Sequence, residues 1–149
     1  MSFKQEVHAY CQQLVEDQIA RSQQLIIEAQ AAANQDSKSS MGDKYETNRE
    51  MMALEIGKAG EQLQESSKLK RVLGELNPKN KSSNVTLGSL ISTNIGLFYL
   101  SVSLGKIKVA EKEVFVLSAV APLGKVLMDK QIGDEFEFNS RPIKIHSIE

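Results

Sequence analysis

Two carboxylates three residues apart, Asp43 and Glu46, lie in the run KSSMGDKYETNRE (38–50), where a polar, Ser-rich stretch gives way to helix formers. On a helix, positions i and i+3 share a face, so both side chains can converge on one point off its surface. Hard oxygen donors of this kind suit Mg²⁺. Two of them alone hold it weakly, because the ion keeps its waters and needs phosphate or further acids. Such a pair could only complete a metal site supplied mainly by another molecule. The same spacing is also the N-cap/N3 pattern of a capping box, and Ser40 and Asp43 offer an overlapping frame one turn earlier. First-turn acids are favoured by the helix dipole in any case. The residues alone leave both readings open.

Other chemistry is thinly supplied. His8 and His146 are the only histidines and fall in different parts of the chain, so each reads as a surface or core residue rather than a base or ligand. Cys11 is the single cysteine; it cannot form an intrachain disulfide, is read as lacking a His partner for nucleophilic catalysis, and reads as a small buried hydrophobe. The segments LGSL and SLGK lack the spacing of a phosphate loop. Around the acids, Lys38, Lys44 and Arg49 read as a solvated face that could steer an anionic substrate such as RNA. Met51 and Met52 read as packing residues with a possible partner role.

The elements that must position Asp43 and Glu46 are helical. Residues 1–33 contain no Gly or Pro. Val15, Ile19, Ser22, Ile26, Ala29 and Ala33 follow alternating steps of four and three, and Val7, Cys11, Leu14 and Leu25 widen that stripe. NQDSKSSMG (34–42) breaks the pattern with turn formers. Met52, Ile56, Ala59, Leu63, Ser66 and Leu73 repeat it, and the second run ends near Leu76, before Asn77 and Pro78. This predicts an antiparallel coiled-coil hairpin over 1–77, its tip at about 34–47. About 30 helical residues make an arm of roughly 45 Å. Gly57 and Gly60 are expected at a close approach of the two helices.

NPKNKSSN (77–84) reads as a linker, assigned to 78–84. Over 85–149 the period drops to two: VTLGSLIS (85–92), IGLFYLSVSL (95–104), EVFVLS (113–118), GDEFEFN and PIKIHSI predict four or five antiparallel strands. Pro122 opens one short helix. The expected class is α+β. Apolar residues at 41% and charged residues at 25% are those of a globular chain, and a net charge of −1 excludes a protein that wraps nucleic acid by positive field alone. Residues 1–77 carry nine Lys/Arg against twelve Asp/Glu, and 78–149 nine against seven, which allows at most a weakly basic second part and weak contact with DNA or RNA. No apolar run is long enough to span a membrane, and the start MSFKQEVHAY lacks the order of a signal peptide, so the expected compartment is the cytoplasm.

In plan, the whole chain resembles the bacterial Gre (GreA/GreB) family of transcript-cleavage factors, in which a coiled-coil arm precedes a small FKBP-like domain. LGSLI (87–91), LSAVAPLGKVLMDKQIGDEFEF (117–138) and IKIHSI resemble strands and signature of that domain. GDKYE (42–46) resembles the family's Gly-Asp-x-x-Glu tip. The resemblance implies binding to RNA polymerase, with the arm in the secondary channel and the FKBP-like domain on the channel rim. Asp43 and Glu46 would help hold a Mg²⁺ at the polymerase's own active site, where backtracked RNA is cleaved and its new 3′ end extended. The chain would then be an accessory factor, not an enzyme, with no intrinsic cofactor. Lys44, Tyr45 and Arg49 at the tip and Pro122, Gly133 and Asp134 on the second domain would meet the partner. After the tip Glu the family usually continues Asn-Ala-Glu-Tyr, where this chain has Thr47-Asn48-Arg49-Glu50. Two alternatives stand beside the first reading: a channel-binding regulator without cleavage activity, and a coiled-coil protein-interaction module.

Overall fold

A computed structural model describes the backbone of residues 1–36 and 42–149 and the side chains of residues 1–34 and 46–149. Two long helices come first, α1 (Phe3–Asp36) and α2 (Gly42–Glu75), each of 34 residues. Strands β1 (Leu90–Thr93), β2 (Gly96–Ser101), β3 (Gly105–Val109) and β4 (Lys112–Ser118) follow, then α3 (Pro122–Leu127), β5 (Glu135–Phe138) and β6 (Arg141–Ile148). The class is α+β. The chain divides into two compact units, one formed by Met1–Gln12 with Arg71–Glu149 and the other by Gln13–Lys70.

In the first unit six strands form one sheet in the order β3-β4-β2-β1-β6-β5. The sheet is mixed rather than wholly antiparallel, because β4 inserts between β3 and β2 and runs parallel to β2. Four successive residues of β2, Phe98 to Ser101, are buried, so this central strand is covered on both faces. Phe98 and Leu100 join Val85, Ile91, Leu117, Leu127 and Ile145 in a core on one face. Side chains alternate along a strand, so Tyr99 looks the other way; there its hydroxyl meets His8 of α1. The edge strands β3 and β5 keep the alternation of half-exposed strands.

Local chemistry explains the joints. α2 stops at Glu75 because Asn77-Pro78 cannot continue it; Asn77 Oδ1 accepts the Lys79 N–H at 3.0 Å, closing an Asx turn. Pro122 opens α3 at its first turn. Gly124 is required: a Cβ there would run into the Ser118 carbonyl oxygen. Asn139 and Ser140, both at positive φ, turn β5 into β6. Asn94 clasps β6, its Oδ1 accepting the Lys144 N–H at 2.7 Å and its Nδ2 donating to Pro142 O at 3.0 Å.

In the second unit the buried residues include Ser22, Ala29, Ala59 and Ser66. The Ser66 hydroxyl donates to Gln18 Oε1 at 3.3 Å and accepts from Gln62 Nε2 at 3.0 Å, which joins α2 to α1. Two expectations for this seam fail. Leu25, assigned to the stripe, is 57% exposed, and Met51 is 55% exposed. Nor do Gly57 and Gly60 mark a close approach, since a Cβ at either would meet nothing within 4 Å. Small and polar side chains share the seam with fully buried Val15 and half-buried Ile19, Ile26, Ile56 and Leu63.

These glycines give opposite expectations. Gly124→Ala should destabilise the chain by about 1–3 kcal/mol, the usual cost of overpacking against fixed backbone. Gly57→Ala should stabilise it by about 0.5–1 kcal/mol, the helix-propensity gain where space is open. Urea denaturation followed by far-ultraviolet circular dichroism measures both; a neutral Gly124→Ala would refute the contact with Ser118.

Candidate functional site

The tip is built from the break between α1 and α2. α1 ends at Asp36 and α2 begins at Gly42, so five residues separate two helices of about 50 Å each. The backbone places Asp43 in the first turn of α2 and Glu46 one turn on, at positions that share a helix face. Glu46 and Arg49 are exposed. The side chains of Asp43, Lys44 and Tyr45, and all of Lys38, lie outside the described residues. Among the described residues no three or more His, Cys, Asp or Glu side chains converge as a metal site. Two hard carboxylates, the expected donors here, would fit Mg²⁺ only as part of a site shared with other ligands.

Pro122, Gly133 and Asp134 fall in the other unit. Pro122 is exposed at the start of α3. Gly133 sits at φ +90°, a conformation that disfavours any side chain, and its N–H donates to Ile145 O at 2.8 Å. Asp134 Oδ2 accepts the Gln131 N–H at 2.7 Å, so this carboxylate has a structural task in the turn before β5. Each signature segment also presents a large apolar residue to solvent, Val120 at 76% and Ile132 at 59% exposure. Sequence reasoning passed over both, because an isolated Val or Ile carries no exposure signal of its own.

Sequence reasoning also missed a buried polar cluster at the start of α1. Lys4 and His8 are buried with Val7 and Cys11. His8 Nδ1 and the Tyr99 hydroxyl stand 2.7 Å apart, with the rings edge to face. Burial lowers the His8 pKa, opposed by a backbone hydrogen bond to Leu73. Burial pushes the Cys11 thiol up to about 12 and raises Tyr99 as well, so neither is a nucleophile near neutral pH. His8 is a core histidine, as its lack of converging partners suggested. The signal for Lys4 was available: Lys4, His8, Cys11 and Val15 follow steps of four, three and four.

Comparison with protein-family models finds no match. No curated protein matches either. Among solved structures the chain is similar to one described as "Structure of the transcription factor Gfh1", at 15% identity over 93% of this chain and 92% of that one, with a TM-score of 0.36. A match at that score does not establish a shared topology. No helix among the described residues is long and apolar enough to cross a membrane.

The His8 environment sets a pH dependence. Its folded-state pKa lies below the ordinary 6.5, so the unfolded chain takes up the proton first as pH falls. The contribution of His8 is complete above about 6.5 and is lost progressively below it, down to the folded-state value. Urea midpoints between pH 7.5 and 5 should therefore fall more steeply for the wild type than for His8→Gln. Equal slopes would mean that His8 is not held neutral by its surroundings.

Proposed function

We propose that the chain is an RNA-polymerase-binding transcription factor of Gre type, whose helical hairpin carries Asp43 and Glu46 into the polymerase's secondary channel and stimulates cleavage of backtracked RNA. The observation that carries this reading is the position of Gly42-Asp43-Lys44-Tyr45-Glu46: it opens the second of two 34-residue helices separated by five residues. A purely structural hairpin needs no paired acids at that place. Leu25, Ile27, Met51 and Leu54 on the same helices are exposed and accessible to a partner.

On this reading the chain is not itself an enzyme. Asp43 and Glu46 add two carboxylates to a site whose remaining ligands come from polymerase and RNA. Bound Mg²⁺ there supplies an activated water and charge stabilisation on the leaving oxygen. Lys44 and Arg49 favour the approach of the RNA 3′ end, and Tyr45 contacts the channel wall. Pro122, Gly133 and Asp134, with exposed Val120 and Ile132 beside them in sequence, form the surface for the channel rim. The setting is the cytoplasm.

A second reading keeps the partner and drops the cleavage. It is favoured by Thr47-Asn48-Arg49-Glu50, which departs from the family's continuation and puts exposed Arg49 where the family has an acid. The third, an interaction module with the acids serving as caps, predicts a stable oligomer in light scattering and no capture by polymerase.

A backtracked elongation complex, incubated with and without the chain, separates the three. Cleavage should be accelerated by the wild type. It should fall roughly 100-fold or more in Asp43→Ala/Glu46→Ala, since loss of even an outer-shell partner of a metal site costs about 10–100-fold. Polymerase binding, measured by competition, should persist in that variant. Binding without cleavage by the wild type selects the second reading, and no binding selects the third.

A further inference from the structure

The first side chain that α1 buries is a lysine. Lys4 occupies the same stripe as His8, Cys11 and Val15, where an apolar residue would be covered without electrostatic cost, and it is only 4% exposed. An ammonium carries three donors, and the acceptor Lys4 reaches among the described residues is Asn80 O, at 2.7 Å. Burial lowers its pKa; Glu149 opposes this, and Lys81 adds the repulsion of a second cation. Two of its three donors have no hydrogen-bond partner among the described residues, so the ammonium can also take a ligand.

Lys4 lines a cavity of about 380 Å³, a size within the usual range of small-molecule sites. Lys81, Asn80, Thr86, Ser89 and Glu75 stand in the same wall. Its floor is fixed in advance. Gly88 N–H donates to Leu100 O at 2.6 Å and Leu100 N–H to Ser89 O at 3.0 Å, which pins the loop to β2. Ser89 Oγ accepts the Thr86 N–H at 2.9 Å and lies 3.4 Å from Thr86 Oγ1, so two hydroxyls are held side by side.

We propose that this cavity binds a small phosphate-bearing molecule, its anionic oxygens taken by Lys4 and Lys81 and by the Thr86 and Ser89 hydroxyls. An anion here lies against two ammoniums that otherwise repel each other. It also gives Lys4 charge-assisted hydrogen bonds where the low dielectric makes them strong. A phosphate group offers more acceptor oxygens to these four donor groups than a carboxylate does. Glu75, the carboxylate of the wall, is an acceptor for hydroxyl or amino groups on the remainder of the ligand. The proposal is independent of the polymerase reading.

The test titrates the full chain with inorganic pyrophosphate and, separately, adenosine monophosphate, against sodium chloride of matched ionic strength. Thermal unfolding and amide NMR shifts are the readouts. Saturable binding is expected, with shifts concentrated in 77–89 and near Lys4, and a rise in melting temperature that chloride does not give. Lys81→Gln, at an exposed position, should weaken binding roughly tenfold or more, the worth of a charged hydrogen bond. Lys106→Gln on the β3 edge should not. Lys4→Met should abolish binding; if that variant does not fold, Thr86→Val with Lys81→Gln carries the test. Tighter adenosine monophosphate identifies an organic phosphate as the ligand, and tighter pyrophosphate an inorganic one. The proposal is overturned if no saturation appears in the millimolar range, if the shifts spread over Lys106, Lys108 and Lys112, or if Lys81→Gln binds as the wild type does.

Discussion

The hydrogen bond between His8 and Tyr99 joins the first turns of the chain to the middle of its sheet, and much of the first unit depends on it. β2 is buried on both faces, and the core around Val85, Leu117, Leu127 and Ile145 covers only one of them. Cover for the Tyr99 face comes from residues more than eighty positions earlier: His8 bonds the Tyr99 hydroxyl with the rings edge to face, and buried Cys11 lies close enough to act on it. A polar pair at that junction is demanding, because a buried group that loses its partner retains its full desolvation penalty. It also selects one rotation of α1, since Glu6 and Tyr10, two residues either side of His8, lie on the opposite, exposed face. With Lys4 bonded to Asn80 O and Lys112 over the Phe3 ring, it ties Met1–Gln12 to Arg71–Glu149 in one compact unit.

The legible parts of the sequence were those whose signals are local. The absence of Gly and Pro over 1–33 and the four-three spacing located α1, the same spacing and the Asn77-Pro78 stop located α2, and Pro122 and Asn139-Ser140 located a short helix and a hairpin. What escaped was non-local or atypical. β3 was missed because the turn after it uses Ala110 and Glu111, both at positive φ, where Asn-Gly is the usual sign. The parallel pairing of β2 with β4 has no signature in either strand, because it depends on where the β3–β4 hairpin returns. Leu25 fitted the heptad count and still lies outside, since spacing cannot say which of two adjacent stripes faces the partner helix.

Of the candidate site, residue type and helix position were legible: Asp43 and Glu46 open α2 on one face. A donor count is as far as that reading goes, and two carboxylates stay short of a resident metal site. On the proposed reading any chemistry at the tip belongs to a complex, and the physics of this chain alone can only favour or disfavour partnership.

The distribution of apolar surface on α1 and α2 favours partnership. Ser22, Ala29, Ala59 and Ser66 occupy buried positions, while Leu25, Ile27, Met51 and Leu54 are exposed. Val15, Ile19, Ile26, Ile56 and Leu63 are also buried or half-buried, and fully burying a large apolar side chain is worth about 1.5–3 kcal/mol, so each of the four left exposed forgoes part of that gain. The Ser66–Gln18 and Ser66–Gln62 contacts satisfy polar groups in the seam but contribute little net free energy each. The stability forgone inside the hairpin is available again wherever a second surface covers those four side chains. Both the polymerase reading and the interaction-module reading share that physical ground, and only the paired acids distinguish them.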